Sequence, residues 1–223
     1  FWDKKLYLDD VFFEISNVAY KTLAYLKDRR RDHGLADNLV LKNKYPSGKC
    51  FVVGNAPSVN RQDLTLLKNE LTFFVNRAFL HPDYEFIKPT YHLFLDGKLQ
   101  AGTWPLKFLD EIVEKNPDVT FLLNADWYHD AQFQPYKKFN IHWIDTKLIL
   151  TRFYTKEIDL SNVCVGGGGV VESGILAAAY MGIKDIYFLG VDGDGLIHNL
   201  MGNNSHFYGS NPEDMSLDML AVA

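Results

Sequence analysis

Cysteine is scarce: Cys50 and Cys164 are the two in 223 residues. Each lies in or beside an apolar segment, which excludes a disulfide-built scaffold and fits buried thiols in a reducing cytoplasm. No apolar run reaches transmembrane length and no signal peptide is visible, so a cytoplasmic location is expected. An excess of positive charge is also missing: 23 Lys and Arg face 28 Asp and Glu, a net charge of −5. With no dominant basic stripe, nucleic acid is not expected as a partner. The one dense basic cluster is Lys27 with Arg29, Arg30 and Arg31. It reads as a solvated helix end, or as a contact for anionic lipid at the inner membrane or for a second copy of the chain. There is no internal repeat and no low-complexity tract beyond Gly166 to Gly169. No Gly-Lys-Ser/Thr follows those glycines, which excludes a Walker loop. The first strand carries no Gly-x-Gly-x-x-Gly, which argues against an NAD-linked oxidoreductase. The chain starts at Phe1 without Met and ends abruptly at Ala223, so a piece of a longer protein, truncated at its C-terminus, is expected.

What is present points to a large core. Hydrophobic residues make up 47% and aromatics 14%, which excludes a disordered chain. The organising stretch is Lys49 to Asn60. Phe51-Val52-Val53 reads as a buried strand, stopped by Gly54-Asn55-Ala56-Pro57-Ser58, where Pro57 disfavours helix at Ala56. A helical pattern follows at Asp63, Leu64, Leu66 and Leu67. Further strands are expected at residues 72–75, 91–95, 119–123, 141–144 and 186–191, with helices at 104–115 and 171–181, the latter ended by Gly182. Strands alternating with helices predict an α/β fold with a mostly parallel sheet flanked by helices. Ahead of it, residues 5–33 show helical spacing at Phe12, Ile15, Ala19, Leu23 and Leu26, with Gly34 as the stop. Residues 42–48 read as a linker. The expected organisation is a 1–48 helix-and-linker segment packed on a 49–223 α/β domain.

Several strands end in polar residues: Asn55, Asn76, Asp96, Asn124 and Asp192. In a parallel sheet those ends share one edge, where open α/β sheets bind ligands. Each alone is also an ordinary turn former. A second constellation is Gly166-Gly167-Gly168-Gly169 before a helix. It allows close backbone approach, and the helix start favours an anion or carboxylate; the plain alternative is a hinge. A third is Asp192-Gly193-Asp194 with His198, His206 and Tyr208. Paired aspartates suit a divalent metal against a diphosphate, or Asp192 alone a ribose hydroxyl. His206 is a candidate base because imidazole titrates near neutrality. Tyr208 suits a leaving phosphate, or is a packed aromatic.

Taken together, Gly54-Asn55-Ala56-Pro57-Ser58, Asp63-Leu64, Thr72 to Asn76-Arg77, Lys88-Pro89-Thr90-Tyr91, Asp96 and the block Gly182 to Asp192 resemble the bacterial DUF115 family, also called 6-hydroxymethylpterin pyrophosphokinase-like. The same blocks resemble glycosyltransferase family 42, the bacterial sialyltransferases, and the related motility-associated factors. The resemblance covers roughly residues 45 to 210. It implies a Rossmann-like, GT-A-type α/β/α fold and sugar transfer from a CMP-linked donor without a metal. It implies that Gly54, Asn55 and Ser58 contact the donor nucleotide, that Asn76 faces it and that Asp192 meets it. Asp96 stands where family 42 has Asn. The family's Ser/Thr-Gly turn for the sialic acid carboxylate falls near Gly168 to Ser173, where this sequence differs. The family's catalytic histidine lies further beyond the aspartate than His206 does, and is carried to His206, with His198 as the alternative.

The resulting expectation is a glycosyltransferase of nucleotide-activated sugars, of CMP-linked nonulosonic type, acting on a glycan or lipid-linked glycan in surface polysaccharide or lipopolysaccharide synthesis. The Gly167, Gly168 and Gly169 turn would hold the donor's carboxylate, His206 would act as base, and Tyr208 would meet the departing phosphate. The enzymatic alternative is an ATP-dependent pterin pyrophosphokinase needing Mg²⁺ on Asp192, Asp194 or Asp96. The non-enzymatic alternative is a nucleotide- or sugar-binding subunit.

Overall fold

The computed structural model of the chain describes residues 33–148, 158–166, 169–193, 201 and 205–209, together with 11, 12, 15, 16 and 19 of the N-terminal stretch. Those five N-terminal residues are helical and exposed; the remainder of the helix expected at 5–33, up to residue 32, lies outside the described residues.

Eight strands are described: β1 (Lys49–Val53), β2 (Thr72–Val75), β3 (Tyr91–Phe94), β4 (Thr120–Asn124), β5 (Ile141–Ile144), β6 (Thr146–Leu148), β7 (Cys164–Gly166) and β8 (Asp185–Leu189). Six form one sheet in the order β5-β4-β3-β2-β1-β8, and every pairing in it is parallel. The fold is Rossmann-like α/β. Strands β2 and β3 are buried at every position, as expected where both faces of a parallel sheet are covered.

Alternation along the strands divides the core in two. Val53, Phe74, Phe94, Phe121 and Leu123 face the connections that lead from β1 to β5, which contribute Val59, Leu64, Phe79, Tyr84, Leu109 and Trp127. Cys50, Val52, Phe73, Leu93 and Leu122 face the other way, toward Leu41, Leu160, Ala177, Ala178 and Met181. The chain thus crosses from β1 to β5 along one face and returns to β8 along the other. The point where strand order reverses lies between β1 and β8.

Four α-helices are described: α1 (Tyr84–Ile87), α2 (Gly97–Gln100), α3 (Lys107–Lys115) and α4 (Val170–Tyr180). The small residues of α4 let it lie close over β1, β2 and β3; Gly174, for example, sits against Leu93 and Val52. Its last carbonyls are satisfied by the segment expected to be a linker. The N–H groups of Asn43, Tyr45 and Ser47 donate to the carbonyls of Tyr180, Met181 and Gly182 at 3.0, 2.8 and 2.9 Å, so orphan groups at the helix end find partners. Residues 35–41 form a 3-10 helix that buries Asn38 and Leu41 against the core. There Asn38, fully buried, donates to the carbonyls of Trp143 and Leu160 at 2.6 and 2.7 Å.

The structure corrects three expectations. After β1 the chain forms 3-10 turns, Pro57–Arg61 and Leu64–Leu67, instead of a regular helix; Pro57 and the Asp63 side chain, which accepts from the Thr65 N–H at 3.1 Å, favour short turns over a continuous ladder. The helix expected at 104–115 starts at Lys107, because Pro105 disfavours helix at Trp104. Gly166 closes strand β7, paired in parallel with β6, instead of opening a loop. Among the described residues no helix is long and apolar enough to cross a membrane.

Candidate functional site

The carboxyl ends of β1 and β8 meet at the reversal of strand order. Gly54 donates its N–H to Leu189 and Ala56 to Gly190, at 2.8 and 2.9 Å. A Cβ on Gly54 would collide with the Gly190 carbonyl oxygen, so only glycine lets the two turns approach this closely. Gly190 itself has φ +62°. Beyond these glycines Ser58 donates its backbone N–H (3.2 Å) and its hydroxyl to the Asp192 carboxylate.

Asn55 and Asn76 follow β1 and β2. The Asn55 Nδ2 donates to the Val75 carbonyl at 3.2 Å, so its side chain reaches across to the end of β2. The Oδ1 atoms of Asn55 and Asn76 are both buried and accept no hydrogen bond from the protein. Leaving a buried acceptor unsatisfied costs about 1–3 kcal/mol, and native structures rarely tolerate it without a partner such as a ligand or water. Asn76 has φ +47°, in the left-handed region that asparagine tolerates better than most residues.

Residues 205–209 lie across these two strand ends. The Phe207 N–H donates to the Asn55 carbonyl at 2.8 Å, and Asn60 Nδ2 donates to the Phe207 carbonyl at 3.3 Å. The rings of His206 and Tyr208 stack with centroids 5.1 Å apart. The Arg77 guanidinium lies over Tyr208, Cζ 4.3 Å from the ring centroid, and His81 faces Phe207 at 5.6 Å. Residues separated by more than a hundred positions are thereby gathered at one sheet edge: Gly54, Asn55, Ser58, Asn76 and Arg77 with Asp192, His206 and Tyr208.

No family model matches the chain, and no curated protein matches it. Among solved structures, the chain is similar to the MAf glycosyltransferase from Magnetospirillum magneticum AMB-1, with a TM-score of 0.44 and 15% identity over 77% of this chain. It is also similar to the sialyltransferase CstII from Campylobacter jejuni, solved with cytidine-5'-monophosphate, with a TM-score of 0.37 and 15% identity over 66% of this chain. The chain spans 30% of the first protein's length and 62% of the second's.

The remaining sequence candidates sit apart or lie outside the described residues. Asp96 caps α2, accepting from the Lys98 N–H at 3.0 Å. Asn124 caps the next turn, accepting from the Asp126 N–H at 3.0 Å. Gly169 is the N-cap of α4, and a Cβ there would collide with the Glu172 carboxylate, so the chain's own acid already folds back over the start of that helix. Ser173 donates to the Gly169 carbonyl at 3.0 Å and pairs with Thr146 at 2.8 Å. Gly167, Gly168, Asp194 and His198 lie outside the described residues. Among the described residues no group of three His, Cys, Asp or Glu side chains is placed to hold a metal ion.

Sequence reasoning assigned no role to Arg77, His81 or His92. Arg77 directly follows a strand-end asparagine, which is the signal that marks it. His81 is followed by Pro82 in a turn, and His92 lies inside an apolar strand, so neither carries a local sign of the site.

Proposed function

We propose that this chain is the nucleotide-binding core of a glycosyltransferase that uses a nucleotide-activated sugar, of CMP-linked nonulosonic type. The observation that carries the reading is the pair of buried, unpartnered Oδ1 atoms of Asn55 and Asn76 at the carboxyl ends of β1 and β2, beside His206 and Tyr208. Acceptor oxygens call for donors, and a nucleoside supplies them as ribose hydroxyls and exocyclic amino groups. The resemblance of the Gly54 to Ser58 turn to family 42 supports cytidine as the base.

In this reading His206, or His198, takes the proton of the acceptor hydroxyl. The acceptor oxygen bonds to the anomeric carbon as the bond from that carbon to the phosphate oxygen breaks. The bonding pair leaves with the nucleotide monophosphate and the anomeric centre inverts. Arg77 and Tyr208 stand together to meet the negative charge that grows on the departing phosphate. Positioning and charge stabilisation supply most of the rate. No metal is required in this reading. The acceptor is a glycan or lipid-linked glycan of the bacterial surface, met from the cytoplasm at the inner membrane. Diphosphate transfer from ATP has less support, because Asp192 and Asp96 each accept hydrogen bonds from the chain's own N–H groups.

The test is a thermal-shift and calorimetric panel of CMP, CDP, UDP, ADP, GDP and ATP, with and without Mg²⁺, on the wild type and Asn55→Ala. A binder stabilises by mass action. CMP is expected to rank first without metal and to lose about 1–3 kcal/mol of affinity in Asn55→Ala. Preference for ATP with Mg²⁺ would overturn the reading in favour of the diphosphotransferase.

A further inference from the structure

We propose that His92 is a positioning residue that sets Asn76 for the nucleotide by holding its backbone carbonyl. This rests on Asn76 being a nucleotide contact. His92 lies in β3, fully buried, in the otherwise apolar or aromatic run Tyr91 to Phe94. Phe or Leu would fill such a place without needing partners. The imidazole instead has both nitrogens engaged. Nε2 lies 2.8 Å from the Asn76 carbonyl oxygen and Nδ1 lies 2.9 Å from the Tyr84 hydroxyl.

The chemistry of these partners permits one arrangement. A carbonyl only accepts, so Nε2 carries the hydrogen; in a neutral ring Nδ1 then only accepts, so the Tyr84 hydroxyl donates. Burial keeps the ring neutral by pulling the His92 pKa down to about 3, and burial raises the Tyr84 pKa, keeping the phenol protonated. The rings of Phe94, Tyr84 and Phe79 surround the imidazole at centroid distances of 5.1, 5.6 and 6.2 Å, so it has little room to turn.

The beneficiary is a strained residue. Asn76 has φ +47° and directly follows β2, with its carbonyl turned to His92 of β3. Asparagine visits that region more readily than most residues, but it stays there only where the surroundings fix it. A hydrogen bond inside the low-dielectric core is well suited to do so. With the carbonyl anchored, the carboxamide keeps its Oδ1 buried and without a partner from the protein. The relay Tyr84 to His92 to Asn76 therefore runs from the core to the candidate site.

The experiment measures CMP affinity by calorimetry for His92→Phe, His92→Gln, Tyr84→Phe, Asn76→Ala and the double variant His92→Phe/Asn76→Ala, and determines the Asn76 backbone in each folded single His92 or Tyr84 variant by crystallography. His92→Phe is expected to weaken CMP about 5- to 50-fold and to release Asn76 from the left-handed region. His92→Gln, with an N–H and an acceptor of its own, should recover part of the loss. The double variant should bind no more weakly than Asn76→Ala alone, because His92 acts through Asn76. Additive losses, or an Asn76 that stays left-handed in His92→Phe, overturn the proposal. If His92→Phe does not fold, Tyr84→Phe and His92→Gln decide by the same two readouts. If the wild type binds no nucleotide, the donor reading fails on its own account, and the Asn76 backbone still decides whether His92 holds that residue in place.

Discussion

Ser58 donates its backbone N–H and its hydroxyl to the carboxylate of Asp192, 134 positions away in the chain. This pair ties the turn after β1 to the turn after β8 at the point where strand order reverses. Both residues carry donor-binding roles in the sequence resemblance. The structure uses them first to join the two walls of the site.

That pairing predicts coupling. Ser58→Ala and Asp192→Ala are each expected to lower stability by up to about 1 kcal/mol, discounted because the pair is exposed. The double variant should lose less than the sum, with a coupling of about 0.5 kcal/mol that shrinks in high salt. Urea titrations of the four proteins measure it, and strict additivity would show the two turns to be independent.

Gly54→Ala should be among the costlier small substitutions in the chain. Its Cβ meets a backbone carbonyl, that of Gly190, which cannot rotate away as a side chain would. A loss of about 1–3 kcal/mol is expected, seen as a drop of several degrees in Tm. Gly97→Ala is the control: nothing lies within 4 Å of its Cβ position, and a change within about 0.5 kcal/mol is expected.

Stability should fall as pH drops below neutrality. Burial lowers the pKa of His92 to about 3. Burial also lowers that of His81, against the pull of Asp83. His142 is lowered by burial and by Lys44, against Asp37. Below about pH 6.5 the unfolded chain binds protons that the folded chain refuses, so each such histidine removes stability as pH falls toward its folded value. For His92 this amounts to about 1.4 kcal/mol between pH 7.5 and 5.5. Asp130 and Asp159, lowered by hydrogen bonds from Gln132 and Ser161, lose their contribution only in the more acidic carboxylate range. Urea midpoints at the two pH values should therefore diverge less in His92→Phe than in the wild type, and equal divergence would count against a neutral buried His92.

If the transferase reading holds, His206→Ala should lower kcat by about 10²–10⁴, while EDTA leaves turnover intact. The acidic limb of the pH–rate profile should disappear with the imidazole. Loss of activity in EDTA, restored by Mg²⁺, would instead favour diphosphate transfer, and normal turnover in His206→Ala would move the base to His198.

Much of the sheet was legible because its strands are short β-branched and aromatic runs between breakers, as at Phe51 to Val53 before Gly54. The polar strand ends Asn55, Asn76 and Asp192 were legible for the same reason: a parallel sheet sends like ends to one edge. The 3-10 turns after β1 were not, since Asp63, Leu64 and Leu67 satisfy a helical pattern equally well. The β6–β7 pair was hidden because three residues carry no periodicity.

The sequence by itself determined the parallel α/β plan, since alternation of buried strands and amphipathic segments is a local property of the chain. It also marked polar residues at strand ends, such as Asn55, Asn76 and Asp192. Tertiary structure alone decided which of them do meet: Ser58 with Asp192, Arg77 with Tyr208, and Asn55 with the backbone of Phe207. It also gave His92, an apparent core residue of β3, a polar task at the end of β2. The physical reason is that hydrogen-bond partners and desolvation depend on distances across the fold, and residues far apart in sequence acquire those distances only when the strands pack.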